Sequence, residues 1–384
     1  MIPAPGDAVA LTKLLVRVDS RNPGLVPGAP GEGEVARALA AVLEAWGFRV
    51  TLQDVVDGRP NVVARIGTPH GRSLMYNGHL DVVGVDGMTH SPFAGETVDG
   101  RLFGRGATDM KGGVAAMCAA AWRAAAAGAG GEIVVTAVVD EEWQSAGTRG
   151  LIDRGVRADA CIVTEPTRMA IAPSHKGFTW TEVTFTGRAA HGSRYDVGVD
   201  AIRHAGLLLA ELDRVEREEL VRHTHPLLGH ASLHASDIAG GSGWSTYPDR
   251  CALTVERRTV PGESPDDAVR EMERALERVS ATDTAVRGTV RHVFSQWPSD
   301  VAVDSPIVTA LSTAMRAAGE SVVIEGLSAW TDAALLNAAG IPAICYGPGD
   351  ISLAHSATEW VAEDEIRRAA TVLERLALDW CGPG

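Results

Sequence analysis

Carboxylate and imidazole side chains recur directly after apolar runs of this sequence, where predicted β-strands end. The run AVVDEEW at residues 137–143 places three acidic side chains together. Like charges a few ångströms apart repel one another and raise one another's pKa values, so such a cluster is either solvated or offset by positive charge. The other candidates at strand ends are His79 and Asp81 in NGHLDVV, Asp109 in RGATDMKGG, Glu165 in IVTEPT and His355 in SLAHSATEW.

Side chains of these types are the ligands that a divalent metal ion requires. Imidazole favours zinc, copper, iron or nickel, whereas an all-oxygen set would favour magnesium or calcium. Two divalent cations would outweigh three ligating carboxylates and so offset their repulsion. Each signal is weak alone, because a His-x-Asp pair on a strand is more often part of a core and Glu165 could cap a helix. The combination indicates a site.

The elements that must position these residues alternate along the chain. Apolar periodicity predicts helices at 34–46, 111–127, 199–219, 266–279, 305–318, 332–339 and 363–380. Apolar runs predict strands at 61–66, 73–77, 132–139, 160–164, 179–186, 251–258, 286–294, 321–325 and 343–346. The alternation in the first 175 residues favours an α/β fold with a mainly parallel sheet. Because strand carboxyl ends share one crevice in such a sheet, four of the candidate segments should converge.

The order of elements changes between residues 178 and 294, where strand, long helix, strand, helix and strand follow one another. This order predicts a compact α+β domain inserted into a larger α/β domain. We therefore predict a catalytic domain formed by residues 1–177 and 295–384, with an inserted domain at 178–294. A length of 384 residues is compatible with two domains.

Composition and charge argue against several classes of partner. The chain carries 35 Lys and Arg against 49 Asp and Glu, a formal net charge of −14, which argues against nucleic acid or an anionic membrane surface. The sequence predicts neither a membrane span nor a signal peptide. The five cysteines are widely spaced and form no C-x-x-C pair. We therefore predict reduced thiols in a cytoplasmic protein.

Seven segments resemble, in order, the successive motifs of the M20 metallopeptidase family. They are NGHLDVV, GRLFGRGATDMKGG, VVDEEWQSAGTRG, TEPT, GRAAHGS, WTDAALLNAAGIPAICYGPG and LAHSATEWV. The resemblance is strongest to the branch of acetylornithine deacetylase and succinyl-diaminopimelate desuccinylase, from about residue 11 to residue 379. It implies a zinc-dependent exopeptidase-like α/β catalytic domain with an inserted ferredoxin-like α+β domain for dimerisation and lid closure.

The resemblance also implies a co-catalytic site with two Zn²⁺ ions, for which Co²⁺ or Mn²⁺ could substitute. Five ligands would be divided between the ions: His79 and Glu165 for the first, Glu142 and His355 for the second, and Asp109 bridging both. Asp81 would accept the other ring N–H of His79 and fix its tautomer. Glu141 would act as the general base on a water molecule. The peptide bond after Asp109 is typically cis in this family.

Residues of the inserted domain and of the glycine-rich loops would contact the substrate. By resemblance, His191 would reach the active site of a partner subunit and stabilise the oxyanion, so activity would require a homodimer. Arg258 would bind the α-carboxylate of the substrate, whereas Arg257 faces the other side of its strand and should be solvated. Gly347 in YGPG would offer backbone N–H groups and close approach, and Thr331 lies beside it.

Two positions depart from the usual pattern of this branch. Ser245 stands where the branch often carries an asparagine that contacts substrate, and Trp244 precedes it. An Ala-Trp pair ending at Trp330 replaces the glycine pair often seen before Thr331. The two tryptophans could favour an apolar or aromatic part of the substrate, or they could pack in a core. Asp332 also lies beside the YGPG loop, and it could instead cap the helix that follows it.

These expectations favour a metal-dependent hydrolase that cleaves the amide bond of an N-acyl amino acid. The small-molecule substrate could instead be a dipeptide, which would make the chain a dipeptidase or carboxypeptidase of the same family. It could also be an N-carbamoyl amino acid. A non-catalytic binding protein on the same scaffold would have lost Glu141 or a metal ligand, and all six positions are filled here.

Overall fold

The computed structural model describes residues 2–383 of the chain. Its α-helices are α1 Ala8–Val16, α2 Gly33–Ala45, α3 Gly112–Ala126, α4 Ala146–Asp153, α5 Ala201–Glu218, α6 Pro265–Thr282, α7 Pro306–Ala317, α8 Ala333–Ala338 and α9 Glu363–Cys381. The sequence predicts all of these except the short helices α1 and α4. Within this range, none of the helices is long and apolar enough to cross a membrane.

The β-strands belong to several separate sheets. In chain order they are β1 Arg49–Val56, β2 Arg59–Gly67, β3 Ser73–His79, β4 Glu96–Val98, β5 Arg101–Phe103, β6 Glu132–Val138, β7 Ala160–Val163, β8 Ser174–His175, β9 Gly177–Thr186, β10 Thr224–His225, β11 Gly229–His230, β12 Ser232–Gly240, β13 Arg250–Thr259, β14 Gly288–Gln296, β15 Ser299–Asp300, β16 Ala343–Cys345 and β17 Trp360–Ala362. One six-stranded and one four-stranded sheet form the main scaffolds, and the other sheets have two or three strands.

The described residues divide into two compact units. Ser174–Asp300 and Gly326–Trp330 form the smaller unit, and the remaining described residues form the larger unit. Each unit contains a hydrophobic core of its own. All the residues predicted to bind metal, from His79 to His355, belong to the larger unit. The geometry of the candidate metal site can therefore be described within one unit.

The larger unit is built on a six-stranded mixed sheet with the strand order β1-β2-β6-β3-β7-β16. β6, β3, β7 and β16 run parallel to one another, while β2 is antiparallel to β6 and β1 is antiparallel to β2. The predicted parallel arrangement is thus confirmed for four of the six strands. β1 is absent from the prediction, because this edge strand is largely exposed and lacks a continuous apolar run.

An alanine-rich helix, α3, packs into the core of the larger unit directly after Asp109. It is buried at every position from Gly112 to Ala121. Small side chains let a helix approach its neighbours closely in a densely packed interior. At Gly113 the approach is so close that a Cβ would overlap the carbonyl oxygen of Thr164, which follows β7. The start of α3 is therefore held against the strand end that carries Glu165.

The smaller unit has the ferredoxin-like order that the sequence resemblance implies. Its main elements follow as β9, α5, β12, β13, α6 and β14, and its sheet order is β12-β13-β9-β14 with antiparallel neighbours throughout. Val183 and Phe185 of β9 pack with α5 and α6 in one core. Strand alternation places Phe178 and Trp180 on the opposite face of the sheet. The expected α/β fold with an inserted α+β unit is confirmed.

Besides β1, the strand prediction misses β12 and several strands of two or three residues, and it includes one segment that is not a strand. β12 is missing from the prediction, because nearly every position of this edge strand after Leu233 is exposed and the apolar signal is weak. Residues 321–325 are predicted as a strand, but the structure pairs this segment through one isolated bridge between Ile171 and Ile324. Its apolar run is not a buried one, since 48% of Val323 is exposed.

Substitution of Gly113 by alanine tests the contact between α3 and the end of β7. The added Cβ would collide with main chain rather than with a flexible side chain, so we expect a loss of about 1–3 kcal/mol in the free energy of unfolding. Gly206→Ala is the matched control, because Gly206 also lies inside a helix but has open space where its Cβ would be. In this control the free energy of unfolding should rise by up to about 1 kcal/mol, because alanine favours a helix more than glycine does. Urea denaturation measures both, and equal stability of the two variants would contradict the contact.

Candidate metal centre

Three neighbouring strands deliver the candidate ligands to one edge of the six-stranded sheet. β6, β3 and β7 are parallel, and Glu142, His79 and Glu165 lie at or shortly beyond their carboxyl ends. Asp109 comes from the turn before α3, and His355 comes from the loop before β17. The peptide bond after Asp109 is cis, as the resemblance implies. The structure thus brings all five predicted ligands together.

Two groups of side chains among residues 2–383 could each hold a metal ion, and Asp109 belongs to both. The ligand atoms of His79, Asp109 and Glu165 lie within 4.8 Å of one another, and so do those of Asp109, Glu142 and His355. Oδ1 of Asp109 is 3.1 Å from Nε2 of His79. Oδ2 of Asp109 is 3.5 Å from Nε2 of His355, and that nitrogen is 3.1 Å from Oε1 of Glu142. One carboxylate thus faces two imidazoles.

Glu141 lies beside the first group but outside both. Its Oε2 is 3.9 Å from Nε2 of His79, and its side chain is only 10% exposed. Adjacent residues of the turn point in different directions, so Glu142 faces His355 while Glu141 stays near His79. The structure therefore places one buried carboxylate at the edge of the ligand groups without making it part of them.

Burial makes Glu141, Glu142 and Glu165 hard to ionise unless a cation is present, because it raises the pKa of each. Burial, together with the charge of Asp109, raises the pKa of Glu165 well above its ordinary value. Burial also raises the pKa of Glu141. For His79, burial opposes the charged ring, but the hydrogen bond to Asp109 and the charge of Glu141 raise its pKa well above its ordinary value. Divalent cations would supply positive charge here, and mixed oxygen and nitrogen donors suit zinc-like ions.

Asp81 supports the centre through a different atom from the one expected. Nδ1 of His79 donates to the main-chain carbonyl oxygen of Asp81 at 3.0 Å, while the carboxylate oxygen Oδ1 is 3.6 Å away. The carboxylate of Asp81 instead accepts the main-chain N–H groups of Glu141 and Glu142, at 3.1 and 3.0 Å. The carbonyl therefore fixes the tautomer of His79, and the carboxylate holds the acidic turn.

A buried ion pair that the sequence reasoning missed holds the turn of Asp109. Oε1 of Glu359 accepts the main-chain N–H groups of Thr108 and Asp109, at 3.1 and 3.2 Å. Oε2 of Glu359 pairs with Nη1 of Arg105 at 2.7 Å, and both side chains are buried. Burial raises the pKa of Glu359 to about 7. The pair leaves little trace in the sequence, because Arg105 and Glu359 are 254 residues apart.

The main-chain N–H of Gly347 is hydrogen-bonded within the protein. Its N–H donates to Oγ1 of Thr167 at 3.1 Å, so this group is already used. A Cβ at this position would overlap the carbonyl oxygens of Thr164 and Glu165. Glycine therefore lets the loop after β16 lie against the segment that carries Glu165. Contact between Gly347 and a substrate stays a prediction.

The side chain of Thr331, and not that of Asp332, bonds a main-chain N–H at the start of helix α8. Oγ1 of Thr331 accepts the main-chain N–H of Ala333 at 3.2 Å. Asp332 occupies the N-cap position of α8, but its side chain makes no capping hydrogen bond. Its carboxylate instead accepts a hydrogen bond from the hydroxyl of Thr148 on α4 at 2.6 Å. Burial raises the pKa of Asp332 to about 6. The hydroxyl of Thr331 is buried and already bonded within the protein. Contact between Thr331 and a substrate stays a prediction.

In the smaller unit, His191 and Ser245 lie on two adjoining loops. The N–H of Gly192 donates to the carbonyl oxygen of Ser245 at 2.7 Å. His191 is exposed, and its Nδ1 lies 2.8 Å from Oγ of Ser193. Trp244, beside Ser245, is fully exposed, so it joins neither core of the described residues. These loops carry polar and aromatic groups on the surface of the smaller unit.

Arg258 lies on the face of the smaller unit's sheet that is opposite to the helices, and an acidic neighbour pairs with it. Its Nε donates to Oε1 of Glu256 at 2.6 Å, and Oε2 of Glu256 accepts Nε1–H of Trp180 at 2.7 Å. The guanidinium lies 5.3 Å from the ring centre of Phe178. Arg257 was expected to be solvated, but this is wrong: it is 4% exposed and pairs with two glutamates, because the helical side covers it.

Comparison with known proteins places this chain in a family. The sequence profile of Peptidase family M20/M25/M40 matches residues 75–379. An acetylornithine deacetylase of Myxococcus xanthus is 32% identical over 353 residues, which cover 89% of this chain and 90% of the relative. An N-formyl-4-amino-5-aminomethyl-2-methylpyrimidine deformylase of Bacillus subtilis (strain 168) is 29% identical over 408 residues, which cover 98% of this chain and 95% of the relative.

Solved structures share the fold at low sequence identity. A tripeptidase from Staphylococcus aureus subsp. aureus Mu50 has a TM-score of 0.82 at 19% identity, over 99% of this chain and 100% of that chain. The YxeP protein of Bacillus subtilis, described as a dinuclear metal-binding peptidase from the M20 family, has a TM-score of 0.72 at 19% identity, over 96% of each chain. The profile match and the Myxococcus xanthus relative show that the chain is a hydrolase of the peptidase family M20/M25/M40.

Proposed function

We propose that the chain is an amidohydrolase that removes an acyl group from the nitrogen of an amino acid, with two divalent metal ions. One observation carries the proposal: Asp109 is shared by two ligand groups, and Glu141 lies beside them and outside both. Zn²⁺ fits the mixed donors, and Co²⁺ or Mn²⁺ could replace it. The donors favour catalysis over a structural role, because structural zinc sites use closed sets of four Cys and His ligands.

The two ligand groups would hold the ions close together. His79, Asp109 and Glu165 would hold one ion, and Asp109, Glu142 and His355 would hold the other. When bound, such ions polarise an amide carbonyl and lower the pKa of water. The protein's own contribution is to keep these side chains fixed, since the carbonyl oxygen of Asp81 orients the ring of His79.

Glu141 would move the proton. A carboxylate near the reacting atoms but not bound to metal can take a proton from the attacking water and deliver it to the leaving amine. The position of Glu141, 3.9 Å from Nε2 of His79, supports this role. Its main-chain N–H is held by the carboxylate of Asp81, which restricts how far the turn can shift during the reaction.

The relatives support an acylated small molecule as the substrate. The Myxococcus xanthus relative is named a deacetylase of an amino acid, and Arg258 would bind the carboxylate of such a substrate. Hydrolysis of a dipeptide remains an alternative, supported by the fold shared with a tripeptidase, and hydrolysis of an N-carbamoyl amino acid is another. In each of these reactions the same type of bond, between a carbonyl carbon and nitrogen, is cleaved.

A second candidate is removal of a small acyl group from an amine that carries an aromatic ring. On the helix-free face of the smaller unit's sheet, the rings of Phe178, Trp180 and Phe294 lie 5.0–5.9 Å apart, and Trp330 meets Phe178 edge-on at 6.4 Å. Arg258 on this face is already paired with a glutamate. An aromatic face whose cation is neutralised suits a flat, uncharged ring better than a carboxylate. The name of the Bacillus subtilis relative specifies a pyrimidine substrate.

We further propose a homodimer in which His191 of one copy serves the centre of the other. The exposed position of His191 on a loop supports a role outside its own unit. An imidazole N–H placed at the reacting carbonyl would stabilise the oxyanion. We also propose the cytoplasm as the location, because all five cysteines are buried free thiols, which suits a reducing compartment.

Metal analysis of ligand variants tests the shared role of Asp109. The unmodified chain, reconstituted with Zn²⁺ and then dialysed, should retain two ions. His355→Ala should retain one, because only the second group loses a ligand, whereas Asp109→Ala should lose both. His70→Ala is the control, since this exposed histidine lies outside both groups. Plasma mass spectrometry counts the ions, and two tightly held ions in Asp109→Ala would contradict the arrangement.

A substrate panel tests the proposed reaction. After reconstitution with Zn²⁺ or Co²⁺, the enzyme is assayed with N-acetyl, N-succinyl, N-formyl and N-carbamoyl amino acids, with dipeptides, and with N-formylated amines that carry an aromatic ring. Glu141→Gln should keep both ions but lower kcat about 10²–10⁴-fold, because the amide cannot accept the proton. Glu44→Gln, at an exposed position of α2, is the control.

The panel separates three outcomes. Hydrolysis of the amino-acid derivatives supports the first candidate, and a preference for the aromatic amides supports the second. If no amide is hydrolysed by the metal-loaded enzyme, the proposed function is wrong. Activity of Glu141→Gln within a few-fold of the unmodified enzyme would contradict the role of Glu141 alone.

Mixing two inactive variants tests whether His191 acts across a dimer. Glu141→Gln lacks the base and His191→Ala lacks the oxyanion donor, so each homodimer should be nearly inactive. A heterodimer would contain one centre with both groups intact, and activity should therefore return to a measurable fraction of the unmodified enzyme. The measurement is the rate after the two variants are co-expressed with different tags and purified on both. No recovery would argue against sharing between copies.

A further inference from the structure

A cluster of buried polar side chains lies behind the turn that carries Glu141 and Glu142. We call this cluster the Arg59 network, and its members are Asn22, Glu32, Arg59, Asp81 and Asp140. Asn22, Glu32 and Asp81 are fully buried, Asp140 is 4% exposed and the side chain of Arg59 is 11% exposed. Polar groups buried to this degree must be bonded to one another or to the main chain if they are not to cost stability.

Arg59 joins two acidic residues that are far apart in sequence. Its Nη2 is 2.7 Å from Oε1 of Glu32 and 2.9 Å from Oδ1 of Asp140, while its Nε pairs with the other oxygen of Glu32. Oε1 of Glu32 also accepts the main-chain N–H of Asp140 at 2.9 Å. Glu32 therefore holds the main chain of Asp140, and Arg59 holds both carboxylates in a two-pronged contact that a lysine could not reproduce.

Asn22 joins the same turn to the segment that follows β3. Its Nδ2 donates to Oδ2 of Asp81 at 2.8 Å and to Oδ1 of Asp140 at 3.1 Å. Its Oδ1 accepts the N–H of Gly24 at 2.8 Å, and its main-chain N–H donates to the carbonyl oxygen of Val82 at 2.9 Å. The amide group thus fixes the direction of two carboxylates at once.

Asp81 and Asp140 in their turn hold the acidic turn, Asp81 through its carboxylate and Asp140 through its main chain. Asp81 accepts the main-chain N–H groups of Glu141 and Glu142. Asp140 has a left-handed backbone with φ of 68°, and its carbonyl oxygen accepts the N–H of Ser145 at 2.6 Å. A non-glycine residue keeps this backbone only where its surroundings enforce it. The contacts of Arg59 and Glu32 provide that enforcement.

Charge makes the network sensitive to the loss of a single member. The network contains three carboxylates, those of Glu32, Asp81 and Asp140. Its one cation is Arg59. A second cation, Lys111, is fully buried nearby, and its charge acts on both Asp81 and Glu32. Loss of Arg59 would leave the buried acids with one cation fewer, and they would repel one another. The carboxylates that hold Glu141 and Glu142 would then lose their fixed directions.

We propose that Asn22, Glu32 and Arg59 are positioning residues for the reaction, acting through Asp81 and Asp140 on the turn of Glu141 and Glu142. They set where the general base and one metal ligand stand without contacting the substrate. The inference rests on the proposed function, since it assigns a purpose to the positions of those two residues. It also predicts an effect on metal binding, which can be measured without any substrate.

Substitutions in the network test this role by two separate measurements. In Arg59→Gln and Asn22→Ala, kcat should fall about 10–100-fold while KM changes little, because the base and ligand are displaced but substrate contacts are not. The affinity for the second Co²⁺ ion, followed by visible absorption during titration, should also fall about 10–100-fold. Arg59→Lys should restore part of both, since it keeps the charge but not the fork.

Arg65→Gln is the matched control for these variants. Arg65 lies on the same strand as Arg59 and also pairs with a glutamate, Glu132, but at the other end of β2 from the Arg59 network. Its kcat and both Co²⁺ affinities should stay within about twofold of the unmodified enzyme, as is usual for a partly exposed pair. The comparison of Arg65→Gln with Arg59→Gln separates the effect of losing an ion pair from the effect of displacing Glu141 and Glu142.

Each outcome decides the inference. If Arg59→Gln and Asn22→Ala lower the melting temperature but match Arg65→Gln in kcat and Co²⁺ affinity, the network is only structural and the inference is overturned. If Arg59→Gln fails to fold, Asn22→Ala decides alone, because it removes no charge. If the unmodified enzyme hydrolyses none of the amides, the proposed function fails, but the Co²⁺ titration still tests the positioning role.

Discussion

The site depends on confining several carboxylates to one buried edge of a sheet. Taking such charge out of water is costly unless opposite charge or directed hydrogen bonds offset it. The larger unit supplies both kinds of compensation. Imidazoles face each oxygen of Asp109, and the carboxylate of Asp81 accepts two main-chain N–H groups. Other acidic groups lack such compensation, above all Glu165, whose pKa is raised. Divalent cations at the site would supply the missing positive charge.

Two arginine–glutamate pairs fix the two turns that carry the acidic residues, and they do so in the same way. Glu359, paired with Arg105, accepts the main-chain N–H of Asp109. Glu32, paired with Arg59, accepts the main-chain N–H of Asp140. In each pair the guanidinium neutralises a buried glutamate, and the glutamate holds a peptide group of the turn. A fixed main chain gives the side chains on that turn reproducible directions, which metal binding and proton transfer both require.

The sequence predicts the acidic and imidazole side chains that follow buried strands, because each such strand is a recognisable run of apolar residues. His79, Glu142 and Glu165 were identified in this way, and family motifs assigned their roles. The supporting pairs leave no such pattern: Glu32 and Arg59 are separated by 27 residues and look like ordinary surface charges. The exposed edge strand β12 was missed for the related reason that it buries few apolar side chains. Nδ1 of His79 lies 3.0 Å from the carbonyl oxygen of Asp81 and 3.6 Å from its carboxylate. Residue types do not encode a difference this small, so the sequence could not show which oxygen accepts the hydrogen bond.

In the proposed reaction, the carboxylates and imidazoles of the metal centre could not by themselves choose the amine that is released. The deacetylase and deformylase relatives have names that differ in this amine, although both names describe removal of an acyl group from nitrogen. Under the proposed function, discrimination between amines would therefore require side chains of another type. The helix-free face of the smaller unit's sheet carries such side chains, because alternation along β9 and β13 puts Trp180 and Arg258 on it and Arg257 on the helical side. Glu256 bonds both Trp180 and Arg258, so the guanidinium of Arg258 would be free to pair with another carboxylate only if it left Glu256.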